Sequence, residues 1–382
     1  MNRIVSAGLQ TVLAAGLLAC AACTTTASPP PPKPATAAVS PVGTVREQAA
    51  AQPTAAAASV PAPVKLRVAT IRITADAGLY IAEEKGYFKE QGIDVEWVDF
   101  ATAAEATAPL GAGQLEVGVG AVGAGLFNAF NRGIDVRLVA DKAATSPDPR
   151  NGFASSLALA IPKEYADSGR FNDYADLRGK TIVIPAKGTA SHVLVDQALR
   201  KGGLTLADAE INELTFPDVN PALANKAVDV ALQIDPLLTL GEAQGILVPW
   251  KRAADIYPGQ QIGAVMYGPR VAQISQNVGN RFMVAYVKGL RDYNDAFGPR
   301  RQGRAEVVAI LTKNTNVKDP ALYDKVTWDY MNPDGYLNVE TLARDMDWYV
   351  ANGYLPEKPD INRLVDNSFA DYAVSVLGNY QP

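Results

Sequence analysis

The sequence predicts an α/β fold: two related lobes with mostly parallel sheets and a hinge between them, followed by a helical C-terminal region. Three observations carry this. From Lys65 onward strand-like and helix-like segments alternate; the alternation runs a similar course twice; and after about Pro269 only helical spacing remains. Strands alternating with helical patterns give βαβ units and hence parallel sheets.

Ahead of the alternation lie two segments of different character. MNRIVSAGLQTVLAAGLLACAAC places Arg3 before an uncharged apolar run from Ile4 to Ala19, then small residues around two cysteines, the pattern of a secretion signal. The run is shorter than the ~20 residues that cross a bilayer and is followed at once by polar sequence, which argues against a permanent transmembrane helix. Leu17-Leu18-Ala19-Cys20 resembles a bacterial lipobox, in which Cys20 becomes a lipid-modified N-terminus; Cys23 is a competing position and simple cleavage the plainer alternative. Residues 24–64 are Ala, Pro, Thr and Ser with no hydrophobic period, too poor in apolar side chains to fold. As a flexible tether of ~40 residues they would reach roughly 35 Å. The organisation expected is 1–23 signal, 24–64 linker, 65–155 first lobe, 156–265 second lobe, and 266–382 return to the first lobe with C-terminal helices.

Within the first lobe VKLRVATIRI reads as a strand, GLYIAEEKGYFKEQG as one helix ended by Gly92, and IDVEWVDF as the next strand. LEVGVG, IDVRLVA, TIVIPA, INELTF, VDVALQI and ILVPW continue the strands, with helical stretches between most of them. An offset of 113 positions, which takes 110 to 223 and 115 to 228, aligns PLGAGQLEVGVGAV with PALANKAVDVALQID. Each is followed by a helix, a glycine and a strand, RGIDVRLV in one copy and QGILVPW in the other. After Pro269, SQNVGNRFMVAYVKGLRDYNDAF sets Val278, Phe282, Ala285, Leu290 and Tyr293 near helical spacing, and AEVVAIL, PALYDKVTWDYM, VETLARDMDWYV and INRLVDNSFADYAVSVL continue as helices. These helices are expected to brace the lobes, and no chemistry is assigned to them.

Ligands in parallel α/β lobes sit at the carboxyl ends of strands. PAKGTASH, between the strand TIVI and a helix, occupies such a place: Gly188 allows close approach, Thr189 or Ser191 can cap the helix, and the first-turn N–H groups present a positive dipole end. TADAG (74–78) and GVGAVGAG (118–125) are the matching first-lobe loops, and Asp235 in QIDPLL stands at a second-lobe strand end. Together these describe a cleft between lobes. Plainer readings stand beside each: a capped turn for PAKGTASH, close packing for GVGAVGAG, a helix cap for Asp235, a solvated Lys187, and core positions for Tyr80, Phe127 and Tyr267.

Composition narrows the function. Thirty-five Lys and Arg against 40 Asp and Glu, a net charge of −5, give no basic field for nucleic acid. Cys20 and Cys23 are the only cysteines, so the body has no disulfide, thiolate metal ligand or cysteine nucleophile. The single histidine, His192, makes neither a zinc site nor a triad, and a capping or surface role suits it better. There is no G-x-S-x-G elbow, P-loop or HExxH, so neither catalysis nor a cofactor is expected.

From about Lys65 to at least Pro269 the chain resembles the substrate-binding proteins of ABC importers in the SsuA/THI5-like, or NMT1-like, group, whose members bind nitrate, sulfonates, taurine and thiamine pyrimidine. AEEKGYFKEQGIDVEW, LGAGQLEVGVG, LRGKTIVIPAKGTASHVLVDQALRKGGL and VDVALQIDPLLTLGEAQG carry the resemblance. It implies a type II periplasmic-binding-protein-like architecture, two lobes joined by crossing strands near Phe153–Ala160 and Gly263–Gly268. By residue, it suggests Asp76, Ala77, Tyr80, Gly120, Ala121, Gly188, Thr189, Ala190, Ser191 and Asp235 as ligand contacts, and Tyr267 is counted as a ligand-binding candidate with them. Asp76 and Asp235 would favour a solute with an amine or amide donor beside any anionic end. The expected function is capture of a small polar organic solute such as a sulfonate, taurine, nitrate or an aminopyrimidine. A monomer anchored by lipid in the cell envelope would deliver it to a permease driven by an ATPase. An enzyme of the same fold, making thiamine pyrimidine or a menaquinone precursor, and a ligand-sensing receptor without transport are the alternatives.

Overall fold

The computed structural model describes residues 63–148 and 152–381; the signal, the lipobox cysteines and nearly all of the linker lie outside them. Ten strands form two five-stranded sheets with the same strand order. β1 (Val64–Thr70), β2 (Ile93–Asp99), β3 (Val117–Ala121) and β4 (Arg137–Ala144) belong to the first sheet. β5 (Leu157–Pro162), β6 (Thr181–Ile184), β7 (Glu210–Glu213), β8 (Val230–Ile234) and β9 (Leu247–Arg252) make the second, and β10 (Gln261–Tyr267) returns to the first. The first sheet runs β2-β1-β3-β10-β4 and the second β7-β6-β8-β5-β9. β3 and β8 stand at the same offset that the two sequence repeats show, so the internal similarity is structural.

Each sheet is parallel except for one strand. β10 runs antiparallel between β3 and β4, and β5 antiparallel between β8 and β9. Each inserted strand is the first that the chain lays down after changing lobes. The segment Gly263–Gly268, expected as a crossing, therefore lies mostly within the first sheet; the passages between sheets run from Ala144 to Leu157 and from Arg252 to Gln261. Both inserted strands are buried on both faces, which is why LALAI and GAVMY read as continuous apolar runs.

Two helical expectations need correction. GLYIAEEKGYFKEQG is two helices, Ala77–Glu84 and Tyr87–Glu90, because Gly86 adopts a left-handed conformation (φ 76°) that ends the first. PALYDKVTWDYM gives only a short 3-10 turn over Pro320–Asp324, after which the chain runs extended. The long helix Gln276–Phe297 forms as its spacing predicts, with Val278, Phe282, Ala285, Leu290 and Tyr293 all buried against the first sheet's core. The second sheet has its own core, centred on Leu159, Ile182, Leu194, Leu199 and Leu232. No helix among the described residues is long and apolar enough to cross a membrane.

The extended stretch 327–338 straps the two passages together. Its Thr327 amide donates to Asp235 Oδ2 (3.0 Å), its Trp328 carbonyl accepts from Ala154 (3.2 Å) and its Tyr330 carbonyl from Ala144 (3.0 Å). The Asn332 amide donates to Asp141 Oδ2 (2.6 Å) and the Asn338 amide to Gln261 Oε1 (2.8 Å). One segment thus ties the end of β8, both passages and β4.

Candidate functional site

Between the sheets lies a cavity of about 780 Å³, its open mouth included, lined from both lobes. Its walls come from the ends of strands. Lys142 and Ala143 close β4, Ile234 closes β8, and Pro185 and Ala186 follow β6. The inserted strands contribute their beginnings, Leu157 of β5 and Ile262 and Gly263 of β10, because reversal brings the opposite end of such a strand to the same edge. Aliphatic residues and Phe216 dominate; Thr102, Lys142, Thr189, Ser191 and Asp329 are the polar side chains.

Four of the sequence-selected residues, Gly120, Ala121, Thr189 and Ser191, line this cavity. Ser191 is the second residue of the helix Ala190–Lys201, and neither its amide nor its hydroxyl has a protein partner among the described residues. Thr189 does not cap that helix through its side chain; its hydroxyl donates to the Ala186 carbonyl (2.8 Å).

The other seven do not line it. Asp76 lies behind the wall, held by Lys142 Nζ (2.8 Å), Thr70 Oγ1 (2.8 Å) and Tyr80 Oη (3.2 Å). Ala77 and Tyr80 are fully buried in the first core. Gly188 and Ala190 are spent on the opposite lobe: the Ala124 amide donates to the Gly188 carbonyl (2.8 Å), and the Ala190 amide to the Val122 carbonyl (3.1 Å). The two glycine-rich loops thus meet each other, and amides expected to be bare join the lobes. Asp235 is buried and caps the first turn of the helix Leu237–Ala243, accepting from the Thr239 amide (3.0 Å) and hydroxyl (2.6 Å). Its carboxyl pKa is raised, burial outweighing Thr239 and Arg252. Tyr267 sits at the far end of the first sheet, its hydroxyl on the Gly279 carbonyl (2.7 Å), because β10 runs opposite to its neighbours.

Two charged residues were missed. Lys142 is buried in β4 and faces the cavity from beside Asp76, each side chain at most 3% exposed. An Asp-Lys pair interrupting the apolar RLVADKAAT was the available signal. Asp329 comes from the C-terminal strap, a region to which no chemistry was assigned; nothing local in TWDYM marks it. Its carboxylate accepts from the Ser156 amide (2.7 Å), the Ser155 hydroxyl (3.3 Å) and the Ser156 hydroxyl. Burial pushes its pKa up, and Asp235 adds to the rise.

His192 is buried rather than superficial. Its Nδ1 accepts from the Gly188 amide (3.3 Å), and the Trp348 and Tyr354 rings meet it edge to face at 5.1 and 5.5 Å. Burial, then Lys187, lowers its pKa to about 4, so at neutral pH it is the uncharged acceptor this bond requires. Among the described residues no three His, Cys, Asp or Glu side chains are grouped to hold a metal.

Comparison with known proteins places this geometry. Residues 74–246 match the family model described as NMT1/THI5 like. Over these residues the chain is similar to that family. A binding protein of Brucella abortus is 26% identical over 217 residues, 56% of this chain and 62% of its own length. The aliphatic sulfonates-binding protein named in Escherichia coli is 26% identical over 206 residues, 52% of this chain and 60% of its own. The match thus spans under two thirds of these curated relatives. Among solved structures, the alkanesulfonate-binding protein SsuA of Xanthomonas axonopodis bound to MOPS superposes with a TM-score of 0.63 at 18% identity, over 80% of this chain and 99% of that one. The fold around the matched residues is that of the periplasmic binding proteins.

Proposed function

We propose that the protein is the extracytoplasmic solute-binding component of an ABC importer, capturing a small organic solute between its lobes. The observation that carries this is the cavity itself: strand ends of both sheets line it, and Ser191 presents an unpaired amide and hydroxyl at a helix N-terminus. Such an end suits a hydrogen-bond acceptor or partial negative charge, and the aliphatic walls suit an apolar body. The solute enters when the loops at Gly123 and Thr189 separate and is enclosed when they pair again, a hinge motion about the passages that the strap holds. No bond is made or broken. The sulfonate-binding names of the relatives support this reading, and His192 supports it against an enzyme: the only imidazole is neutral, already bonded to Gly188 and absent from the cavity lining.

The closed form would dock on a permease driven by an ATPase, the receptor acting as a monomer in the periplasm. Lipid on Cys20, or on Cys23, would hold it near that permease and raise its effective concentration. Mass spectrometry of solute released from protein purified without refolding, followed by calorimetric titration, tests the binding. One solute per chain, recovered unchanged, is expected. Turnover of that solute by the purified protein would overturn the proposal in favour of the enzyme, and mass spectrometry of the mature N-terminus tests the lipid.

A further inference from the structure

The balance of charge around the cavity goes further than the site's shape. Among the described residues Lys142 is the only cationic side chain in the lining, and its charge is already met by Asp76 at 2.8 Å. Asp76 is itself fixed by Thr70 and Tyr80, so the pair is a closed unit and leaves no net positive side chain for an anion. Asp329, 6% exposed, also lines the cavity, and among the described residues it has hydrogen bonds from Ser155 and Ser156 but no Lys or Arg within ion-pair distance. Its surroundings add more of the same sign. Buried Asp235 raises the pKa of Asp329, and Asp329 that of buried Asp141; Arg252 pairs with Asp235, at 3.4 Å, and donates to the Ser155 carbonyl (3.3 Å).

A buried carboxylate without a counter-charge is costly, and three hydrogen bonds offset only part of its desolvation. An ammonium group delivered by the solute would supply the missing charge where water is excluded and the interaction strongest. A bare anion would meet the reverse situation: a carboxylate of like sign, a lysine already neutralised, and only the fractional charge of one helix end in its favour.

Resting on the solute-binding reading above, we infer that this cavity selects solutes bearing a cationic nitrogen, seated on Asp329, and discriminates against plain anions such as nitrate and alkanesulfonates. Asp329 is the specificity-determining residue, and the apolar walls with Phe216 take the hydrocarbon part.

The test compares hexane-1-sulfonate, hexylammonium and 6-aminohexanoate by calorimetry on the full folded chain, and reads the composition of any solute released from the purified protein. Either amine should bind at least tenfold more tightly than the sulfonate, and Asp329→Asn, which keeps an acceptor for the Ser156 amide, should remove that preference. Equal or tighter binding of the sulfonate overturns the inference, as does an unchanged preference in Asp329→Asn. If that variant does not fold, the wild-type ranking decides. A released solute without a basic nitrogen overturns the charge selectivity and leaves the transport reading intact; no released solute and no binding of any probe overturns both.

Discussion

The edges of the two sheets that line the cavity share one strand order and hold different chemistry. In the first, β4 points Lys142 inward and β1 is followed by Asp76, so the edge carries a buried ion pair with its own supporting hydroxyls. In the second, the corresponding outer strand β9 sends Lys251 over the rings of Trp250 (5.2 Å) and Tyr174 (5.1 Å) and contributes nothing to the cavity; the edge relies on a helix N-terminus and the hydroxyls of Thr189 and Ser191. Repetition fixes where side chains can meet a solute, and single substitutions decide what they offer. One edge is therefore rigid and charged, the other neutral and partly unpaired.

Breaking the charged edge should have the largest effect. Lys142→Met removes the counter-charge of Asp76 at a fully buried position, which costs about 3–5 kcal/mol. Asp76→Asn added to it should restore most of the loss, since an amide can still accept from Thr70. Chemical denaturation of the two variants measures this, and a single variant within about 1 kcal/mol of wild type would show that the pair is solvated.

The neutral edge is open to a proton. His192 has its pKa lowered to about 4 from an ordinary value near 6.5, so its contribution to stability is complete above about pH 6.5 and is lost as pH falls toward 4. Asp141 and Asp345, pushed up to about 7 by burial, act in the opposite sense: their contribution is complete below about pH 4 and lost as pH rises through 7. Comparing wild type with His192→Gln isolates the histidine. The stability gap between them should shrink by at most about 3 kcal/mol from pH 6.5 to 4, read from denaturation midpoints across that range.

The contact between the edges gives a third test. A Cβ on Gly123 would lie 2.7 Å from the Gly188 carbonyl oxygen and 3.1 Å from Thr189 Cα, so Gly123→Ala should prevent the two main-chain bonds that join the lobes. At ~0.5–1.5 kcal/mol each, their loss predicts solute affinity lower by roughly tenfold to a hundredfold and a larger radius of gyration in solution scattering. Gly125→Ala, two residues on with open space around it, should change neither.

Much of this architecture was legible from periodicity. The parallel strands, the offset repeat and the long helix Gln276–Phe297 follow from apolar spacing, which tertiary packing here reinforces. The inserted strands β5 and β10 were less so, because apolar runs such as LALAI show burial without direction, and direction is what moved Tyr267 to the wrong end of the sheet. The loops were located but not their partners: Gly188 and Ala190 lie where ligand amides are expected, yet the Ala190 amide goes to the facing loop and the Gly188 amide to His192. Asp329 was invisible, since its role arises only when the chain's last third returns across both passages.

Ser191 offers the finest discrimination between the edges. Its hydroxyl and amide have no protein partner among the described residues, whereas Lys142 Nζ pairs with Asp76 Oδ1 and Asp76 Oδ2 accepts from the Thr70 and Tyr80 hydroxyls. Ser191→Ala removes a hydroxyl that holds no other element, so the melting temperature should stay within about 1 °C while solute affinity falls by a few-fold to about tenfold, one hydrogen bond of ~0.5–1.5 kcal/mol. Asp235→Asn should behave in the opposite way. It loosens the Thr239 cap and the Thr327 and Arg252 contacts, lowering stability with little direct effect on affinity. Calorimetry and thermal melts on both variants separate a residue that touches solute from one that holds the edge in place, and an affinity loss confined to Asp235→Asn would reverse that assignment.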